Sequence, residues 1–515
     1  MSEEKIILTG EDLTLDQLVA VARRHAKVEF APETVEKIKK SRAVVDNIIA
    51  EKRVVYGVTT GFGSLHNVHI SPEDTQQLQE NLIRTHAVGD GNPLKEDEVR
   101  ALMLIRLNSL VKGVSGVRLE MVQTICDMIN KNVCPHIPEK GSLGASGDLS
   151  PLSHMVLPML GLGRAFYEGQ LMSGREAMEK AGIPVIHLEA KEGLALNNGT
   201  STLTAVGALA TYDAMQLLKL SDIAGALSLE AHRGIIDAFY EKLHTIRPHK
   251  GCLATAKNIR ALTEGSTYLT HTADLRTQDP YTLRCIPQIH GASKDPISYV
   301  AEKVAIELNA ATDNPIIFSE EEVISGGNFH GEPMAQPFDF LGIGAAEIGN
   351  VSERRIERLV NHTLSDFPAF LVKNPGLNAG FMLTQYTAAS LASENKILAH
   401  PASVDSIPSC ENQEDFVSMG TTAARKARDI VRNSLRCVAT EILAACQALD
   451  FRAEMTEGHL GVGTQAAYDK VRENLKFIEN DKDIEMYDEL EKMTNMLLDG
   501  SLLSAVEEKV ELDLQ

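Results

Sequence analysis

The segment best suited to unusual chemistry in this sequence is a run of small residues at positions 141–151. It reads Gly-Ser-Leu-Gly-Ala-Ser-Gly-Asp-Leu-Ser-Pro, so nine of its eleven residues are Gly, Ser, Ala, Pro or Asp. A phosphate-binding loop is excluded because Gly-x-x-x-x-Gly-Lys-Ser/Thr is absent, and Gly144-Ala-Ser-Gly147 differs from the Gly-x-Ser-x-Gly of a hydrolase elbow. Composition alone is typical of a flexible connector.

Six other segments carry side chains that could bind or transform a small molecule. A tyrosine can act as a base, a carboxylate can accept an N–H hydrogen bond, and the planar fork of an arginine can clamp a carboxylate. Considered singly, each is more simply explained as a core aromatic or as a helix or loop contact. The candidates are Tyr56 in Val54–Gly63, His86 in Asn81–Ala87, Asn198 in Leu194–Thr200, Gln278, Tyr281 and Arg284 in one run, Phe329 in Ser325–Glu332, and Glu414 in Asn412–Gly420.

Together with the Ala-Ser-Gly run, these segments closely resemble the aromatic amino acid lyases, and in particular the histidine branch of that family. The resemblance extends from about Tyr56 to Gly420. It implies that Ala145, Ser146 and Gly147 cyclise to a methylidene-imidazolone, with no external cofactor. The residues suit this reaction, because the Gly147 nitrogen must approach the Ala145 carbonyl carbon closely and glycine has no Cβ. Loss of water from Ser146 leaves an electron-poor alkene, which no ordinary side chain provides.

The resemblance also assigns roles to the candidate residues. Tyr56 would remove the substrate β-proton, although a phenol with a pKa of about 10 is a poor base at pH 7 unless helix N-termini or cations stabilise its phenolate. Arg284 would clamp the substrate carboxylate. Asn198, Gln278 and Tyr281 would hydrogen-bond the imidazolone and the amino group, and Tyr281 is counted among the catalytic residues. Phe329 would provide an aromatic contact near the electrophile.

Two residues indicate which amino acid is the substrate. His86 stands at the position facing the substrate ring, where phenylalanine lyases usually carry an apolar residue, and Glu414 matches the acidic residue of the histidine branch. A site that hydrogen-bonds a polar ring can reject an apolar analogue by roughly 10⁴ to 10⁵. The prediction is a carbon–nitrogen lyase that converts L-histidine to trans-urocanate, the first step of histidine degradation.

Phe416 keeps other functions open, because the histidine branch commonly has His directly after the Glu-Asp pair. A tyrosine ammonia-lyase or a tyrosine aminomutase would use the same electrophile and the same arginine. A non-enzyme alternative is an inactive helical scaffold that binds partners, and it predicts no constraint on Tyr56, Ser146 or Arg284. All three are intact, which argues against the scaffold.

The elements that must position these residues are mainly helices. Apolar residues recur at helical spacing between Leu203 and Leu227 and again between Ala427 and Leu449. These patterns predict a mainly α protein, a long antiparallel helical bundle over residues 198–515 with a smaller mixed region over 1–197 that carries the Ala-Ser-Gly loop. The resemblance implies the superhelical architecture of the ammonia-lyases, which is also that of fumarase and aspartase.

Two local features of the mixed region give more specific predictions. The β-branched run Val54–Val58 is typical of a strand. Asn92 can cap a helix with Pro93 at its first position, and Gly113 after Lys112 marks the end of that helix.

The amino-acid composition argues against several classes of binding partner. Acidic residues outnumber basic ones by 71 to 50, and a net charge of -21 opposes binding to nucleic acid or anionic membranes. None of the sixteen histidines forms His-Glu-x-x-His, so no metal is expected. Seven scattered cysteines without a Cys-x-x-Cys pair suit a reducing cytoplasm. Because the candidate residues are scattered along the chain and the family's sites draw on several subunits, we expect a homotetramer with shared active sites.

Overall fold

Helices dominate the structure, a computed structural model that describes residues 5–65, 68, 70, 71, 74–478 and 484–515. The chain divides into two compact units of three segments each. Unit 1 comprises Met1–Leu209, Ala301–Asp339 and Pro401–Arg425, and unit 2 comprises Ala210–Val300, Phe340–His400 and Lys426–Gln515. The mainly α class predicted from the sequence is confirmed. The domain boundary predicted between residues 197 and 198 stays a prediction.

Short strands accompany the helices of unit 1. They are β1 (Lys5–Leu8), β2 (Lys27–Phe30), β3 (Asp90–Pro93), β4 (Cys134–Pro135), β5 (Pro138–Lys140), β6 (Arg164–Tyr167), β7 (Gln170–Ser173), β8 (Ile316–Ile317) and β9 (Val323–Ile324). β1 and β2 pair in parallel, whereas β3–β5, β4–β6–β7 and β8–β9 are antiparallel. These strands are too short to form a layer of their own, so they serve to orient loops between helices.

The helices of unit 1 surround one almost completely buried helix. They are α1 (Leu15–Arg24), α2 (Pro32–Ala50), α3 (Thr75–His86), α4 (Glu96–Val111), α5 (Leu119–Asn130), α6 (Leu149–Val156), α7 (Gly174–Lys180) and α8 (Glu192–Asn197). Every residue of α4 from Glu98 to Val111 is buried, including Arg100. The Arg100 guanidinium donates to the carbonyl oxygens of Val21 and Ile129 at 3.0 and 2.9 Å, so its burial is compensated.

The remaining helices are α9 (Ser201–Ala231), α10 (Glu241–Thr245), α11 (Lys250–Leu262), α12 (Tyr281–Arg284), α13 (Ile286–Glu307), α14 (Glu332–Val360), α15 (Met382–Leu398), α16 (Gly420–Met455), α17 (Val462–Asn474), α18 (Met486–Leu498) and α19 (Ser501–Glu507). The two long helices predicted from apolar spacing correspond to α9 and α16. α9, α13, α14 and α16 each contribute residues to both units. Over the part of the chain that is described, no helix is both long and apolar enough to cross a membrane.

Two predictions of local structure are wrong. Val54–Val58 does not form a strand: its last three residues lie in a turn, and the Thr59 hydroxyl stabilises this turn by accepting the Val55 N–H at 3.0 Å. α4 begins at Glu96 and not at Pro93, which belongs to β3 and pairs with β5. The predicted end of α4 is confirmed, since the helix stops at Val111 and Gly113 has φ +75°.

Buried charges in unit 2 neutralise one another across neighbouring helices. Glu441 accepts two hydrogen bonds from Arg355 at 2.5 and 3.0 Å. Asp222 accepts hydrogen bonds from His290 at 2.8 Å and Lys294 at 2.7 Å, and all five side chains are fully buried. Since an unpaired buried charge costs several kcal/mol, these pairs fix one alignment of α9, α13, α14 and α16 within the unit.

Acid should destabilise unit 2 through His232, which directly follows α9. Burial, reinforced by the positive charges of Arg358, Arg276 and Arg452, lowers the pKa of His232 from 6.5 to about 3. The unfolded chain therefore takes up a proton near pH 6.5 that the folded chain excludes, and this stabilising contribution is lost as the pH falls from 6.5 toward 3. Between pH 7 and pH 5 the expected loss is about 2 kcal/mol in the free energy of unfolding.

Urea unfolding followed by circular dichroism at the two pH values measures this loss. His232→Leu removes the titrating group and should show a pH dependence smaller by about 2 kcal/mol. An identical pH dependence in the native chain and the variant would contradict the prediction.

Candidate active site

The 141–151 segment connects β5 to α6 and is tightly packed. Gly147 has φ +73° and lies beside Gly199, so that a Cβ at position 147 would collide with the Gly199 carbonyl group. Gly144 has φ +74°, and a Cβ there would collide with the Ser418 hydroxyl. Both positions therefore require glycine. A flexible connector does not fit this packing.

Asp148 anchors the segment to the beginning of α9. Its Oδ2 accepts the backbone N–H groups of Thr202 and Leu203, each at 2.8 Å. Its Oδ1 accepts the hydroxyls of Thr421 at 2.6 Å and Ser142 at 2.7 Å. Burial raises the pKa of the Asp148 carboxyl, and these four hydrogen bonds oppose the shift. The role of Asp148 was not predicted, and its only signal in the sequence is its place directly after Gly147.

Ser146 has hydrogen-bond partners from two distant parts of the chain. Its hydroxyl donates to Glu414 Oε1 at 2.6 Å, and the second carboxylate oxygen of Glu414 accepts the Ser409 hydroxyl at 2.7 Å. Its carbonyl oxygen accepts the Asn198 side-chain amide at 2.8 Å and the Gly199 N–H at 3.4 Å. Ser146 is thus held on both its side chain and its backbone.

Ser146 lines two cavities. The first, of about 390 Å³, is lined mostly by apolar groups and also by His86 and Cys410. The second, of about 550 Å³, includes Phe329, His330 and Phe416. Both cavities share Tyr56, Gly63, Ser146, Asn198 and Glu414. A small polar molecule placed between them would therefore contact a hydroxyl, a phenol, an amide and a carboxylate.

Tyr56 is held as a neutral phenol in this structure. Burial raises the pKa of Tyr56, and the negative charge of Glu414 adds to the rise. The Gly63 N–H, which donates to the Tyr56 oxygen at 3.3 Å, opposes it. A proton-abstracting role would need further stabilisation of the phenolate from cations or dipoles.

His86 is the last residue of α3 and faces the first cavity. Burial lowers the pKa of His86, while the Leu82 carbonyl oxygen and the Glu414 carboxylate oppose that shift. The imidazole is therefore neutral at pH 7, and it can donate from one nitrogen and accept at the other.

Phe416 and His330 form one wall of the second cavity. Their rings stack with centroids 6.1 Å apart, and His330 Nε2 lies 3.2 Å from the Phe416 carbonyl oxygen, so that this nitrogen carries the proton. Phe416 is 57% exposed, which leaves an aromatic face open to a ligand. Phe329 lines the same cavity.

The three remaining candidates belong to unit 2 and line neither cavity. Tyr281 and Arg284 form the ends of α12, and the Arg284 guanidinium lies 4.5 Å from the centre of the Tyr281 ring. Tyr281 is 68% exposed, and Gln278 is also exposed. The structure thus brings together Tyr56, His86, Ser146, Asn198, Phe329 and Glu414, whereas Gln278 and Tyr281 are exposed and Arg284 is half-buried in unit 2.

The fold and the site around Ser146 belong to a carbon–nitrogen lyase. The chain is a member of the aromatic amino acid lyase family, whose model matches residues 13–473. It is 68% identical over 510 residues to the histidine ammonia-lyases of Streptococcus pyogenes serotype M49 (strain NZ131) and Streptococcus sanguinis (strain SK36), covering 99% of both chains in each case.

Solved structures of the same fold extend the comparison. Histidine ammonia-lyase from Trypanosoma cruzi is 41% identical, with a TM-score of 0.91 over 99% of this chain and 96% of that one. Tyrosine aminomutase from Streptomyces globisporus is 36% identical, with a TM-score of 0.94 over 99% of this chain and all of that one. The ammonia-lyase architecture expected from the sequence is confirmed.

Proposed function

We propose that this enzyme eliminates ammonia from L-histidine to give trans-urocanate, the first step of histidine degradation. The observation that carries the proposal is the placement of the Glu414 carboxylate and the neutral His86 imidazole in one cavity beside Ser146. These groups complement the two nitrogen atoms of an imidazole ring. The 68% identity to proteins named histidine ammonia-lyase supports the same substrate.

The residues at 145–147 fit a methylidene-imidazolone. Gly147 packs so closely against Gly199 that a side chain at position 147 would not fit. A glycine at this position also suits ring closure, because its nitrogen must approach the Ala145 carbonyl carbon closely. The Ser146 carbonyl oxygen, which the ring would retain, accepts hydrogen bonds from Asn198 and Gly199. Such a group supplies an electron-poor alkene that accepts electrons during elimination.

The side chains around this group would bind and orient the substrate. Glu414 accepts the imidazole N–H, and His86 hydrogen-bonds the opposite nitrogen. Tyr56 accepts the β-proton, for which its phenol must first lose its own proton. Phe329 packs against the ring system and limits the access of water.

The substrate carboxylate requires a cation, and no arginine or lysine is among the described residues that line the two cavities. We assign this role to Arg284, with Gln278 and Tyr281 beside it, from a neighbouring copy of the chain. The exposure of Tyr281 and the Arg284–Tyr281 stacking support a pre-formed surface for this purpose. A homotetramer with shared active sites, acting in the cytoplasm, is the corresponding proposal for the assembly and its location.

A second candidate function is ammonia elimination from tyrosine or its rearrangement to β-tyrosine. The exposed aromatic face of Phe416 in the second cavity favours an aromatic substrate, and a tyrosine aminomutase shares this fold. The Glu414 carboxylate argues against it, because a phenol offers a single polar group where two are available.

Assays with three amino acids separate these functions. The purified enzyme is mixed separately with L-histidine, L-tyrosine and L-phenylalanine, and free ammonia is measured together with the ultraviolet absorbance of the conjugated acid. Ammonia and urocanate from histidine alone are expected. Product from tyrosine alone would overturn the substrate assignment, and labelled tyrosine would reveal β-tyrosine.

Thiol alkylation should inhibit the enzyme at Cys410. This residue is exposed in the wall of the first cavity, and its sulfur lies 3.5 Å from the Ser64 nitrogen. Burial raises the pKa of Cys126 and Cys437 to about 12, so these thiols should react far more slowly. Iodoacetamide is expected to block most histidine turnover, with peptide mass spectrometry locating the adduct.

Cys410→Ser serves as the matched control and should keep its activity after the same treatment. Excess histidine should protect the native enzyme by filling the cavity. Equal inhibition of the native enzyme and Cys410→Ser would contradict a role for this thiol.

A further inference from the structure

Residues 145–147 are described in this structure as Ala-Ser-Gly, and Ser146 carries its hydroxyl. That hydroxyl contacts a carboxyl group from a segment 268 residues away, since Ser146 Oγ lies 2.6 Å from Glu414 Oε1. The second oxygen of Glu414 is held by the Ser409 hydroxyl at 2.7 Å. The carboxyl is therefore aimed at the one oxygen atom of Ser146 that must leave during maturation.

Maturation removes two water molecules from residues 145–147. In ring closure the Gly147 nitrogen bonds to the Ala145 carbonyl carbon, and the carbonyl oxygen leaves as water with one proton from the Gly147 nitrogen and one from the Ser146 nitrogen. In the second loss the Ser146 Cα–H and Cβ–Oγ bonds break, the electron pair of the C–H bond forms the Cα=Cβ bond, and Oγ leaves as water. Hydroxide leaves poorly, so this step needs a proton donor at Oγ.

We propose that Glu414 is that donor, an inference that rests on the proposed function but adds a second task to this residue. The Glu414 carboxylate takes the proton that leaves Ser146 Cα and passes it to Oγ as the Cβ–Oγ bond breaks. The carboxyl thus ends the step in its starting state. A hydrogen bond of 2.6 Å is short enough for direct proton transfer.

The other described titratable groups that line the two cavities are His86, Tyr56, Cys410, His330 and Asp415, and no hydrogen bond joins any of them to Ser146 Oγ. His86 is neutral at pH 7 because burial lowers its pKa. Tyr56 lies with its oxygen against the Gly63 N–H. Its raised pKa makes the phenol a weaker acid than a carboxyl. Among the described residues that line the cavities, Glu414 is the titratable group that is hydrogen-bonded to Ser146 Oγ.

The test is the mass of a peptide and does not depend on turnover. Trypsin should release Gly141–Arg164, and its mass reports how many water molecules residues 145–147 have lost, with fragmentation locating the change. The native peptide should lack two waters. Glu414→Gln keeps the size and hydrogen-bonding capacity of the side chain but removes the acid, so its peptide should lack one water and retain the Ser146 hydroxyl.

Two further variants complete the experiment. Glu411→Gln changes an exposed carboxylate in the same loop and should lose two waters as the native chain does. Glu414→Asp keeps an acid at a greater distance and should lose both waters more slowly. A Glu414→Gln peptide that lacks both waters, or neither, would overturn the proposal. A native peptide that lacks none would overturn the proposed function as well, so the two failures are distinguishable.

Discussion

Ser146→Ala is expected to abolish ammonia release from histidine, with a fall of about 10³-fold or more, while leaving the fold intact. The serine Cβ becomes the alkene carbon of the electrophile, and alanine has no hydroxyl to lose as water. The structural cost is small, because Glu414 keeps its hydrogen bond to Ser409 when the Ser146 hydroxyl is removed. Ammonia release and the far-ultraviolet circular dichroism of the same preparation measure both effects.

Ser150→Ala is the matched control within the same segment. The Ser150 hydroxyl is buried and has no hydrogen-bond partner among the described residues, so its loss should change turnover by only a few fold. Substantial residual activity in Ser146→Ala, with Ser150→Ala unchanged, would refute the electrophile and with it the proposed function.

The long helices were predictable because their apolar residues repeat at helical spacing over many turns. α9 is buried over nearly its whole length and α16 from Cys437 to Leu449, and a helical pattern sustained over more than twenty residues is not compatible with a strand. The first residues of α13 and α14 are harder to predict from the sequence. Proline often marks the start of a helix, but Pro296 and Pro337 lie inside these helices. Proline is a weak boundary signal when packing on both sides compensates for the missing hydrogen bond.

Errors in the N-terminal region have a different cause. Val54–Val58 has the composition of a strand, but a strand needs a partner, and none of its residues pairs with another strand. Pro93 was assigned to a helix from its neighbours in sequence, whereas its pairing with Pro138 lies 45 residues away. Local signals cannot reveal a partner at that separation.

The candidate site shows the same division between local and distant information. The resemblance picked out Ser146 and Glu414 separately, but their contact depends on how the chain returns to the Ala-Ser-Gly loop. Asp148 escaped attention because an aspartate after glycine is common in turns, and its four hydrogen bonds form only in the folded unit. The position of Arg284 could not be derived at all, since its proposed target belongs to another copy.

Two inactive variants should restore activity to each other when their subunits are mixed. Tyr56→Phe removes the proposed base and Arg284→Met removes the proposed carboxylate clamp, so each homogeneous assembly should lose most of its turnover. If Tyr56 and Arg284 of one site come from different copies, some sites of a mixed assembly contain both native residues. Random mixing at equal amounts should make about a quarter of the sites intact, because each of the two contributing copies has an even chance of being the suitable variant.

The measurement is histidine turnover after the two variants are unfolded together and refolded, compared with the same treatment of each variant alone. Recovery near a quarter of the native activity would locate Arg284 and Tyr56 on different copies within each site. Mixing intact assemblies without unfolding gives the control, in which exchange is slow and activity should stay low. No recovery after co-refolding, although assemblies of both variants form, would mean that one chain supplies both residues, and the Arg284–Tyr281 pair would then need another role.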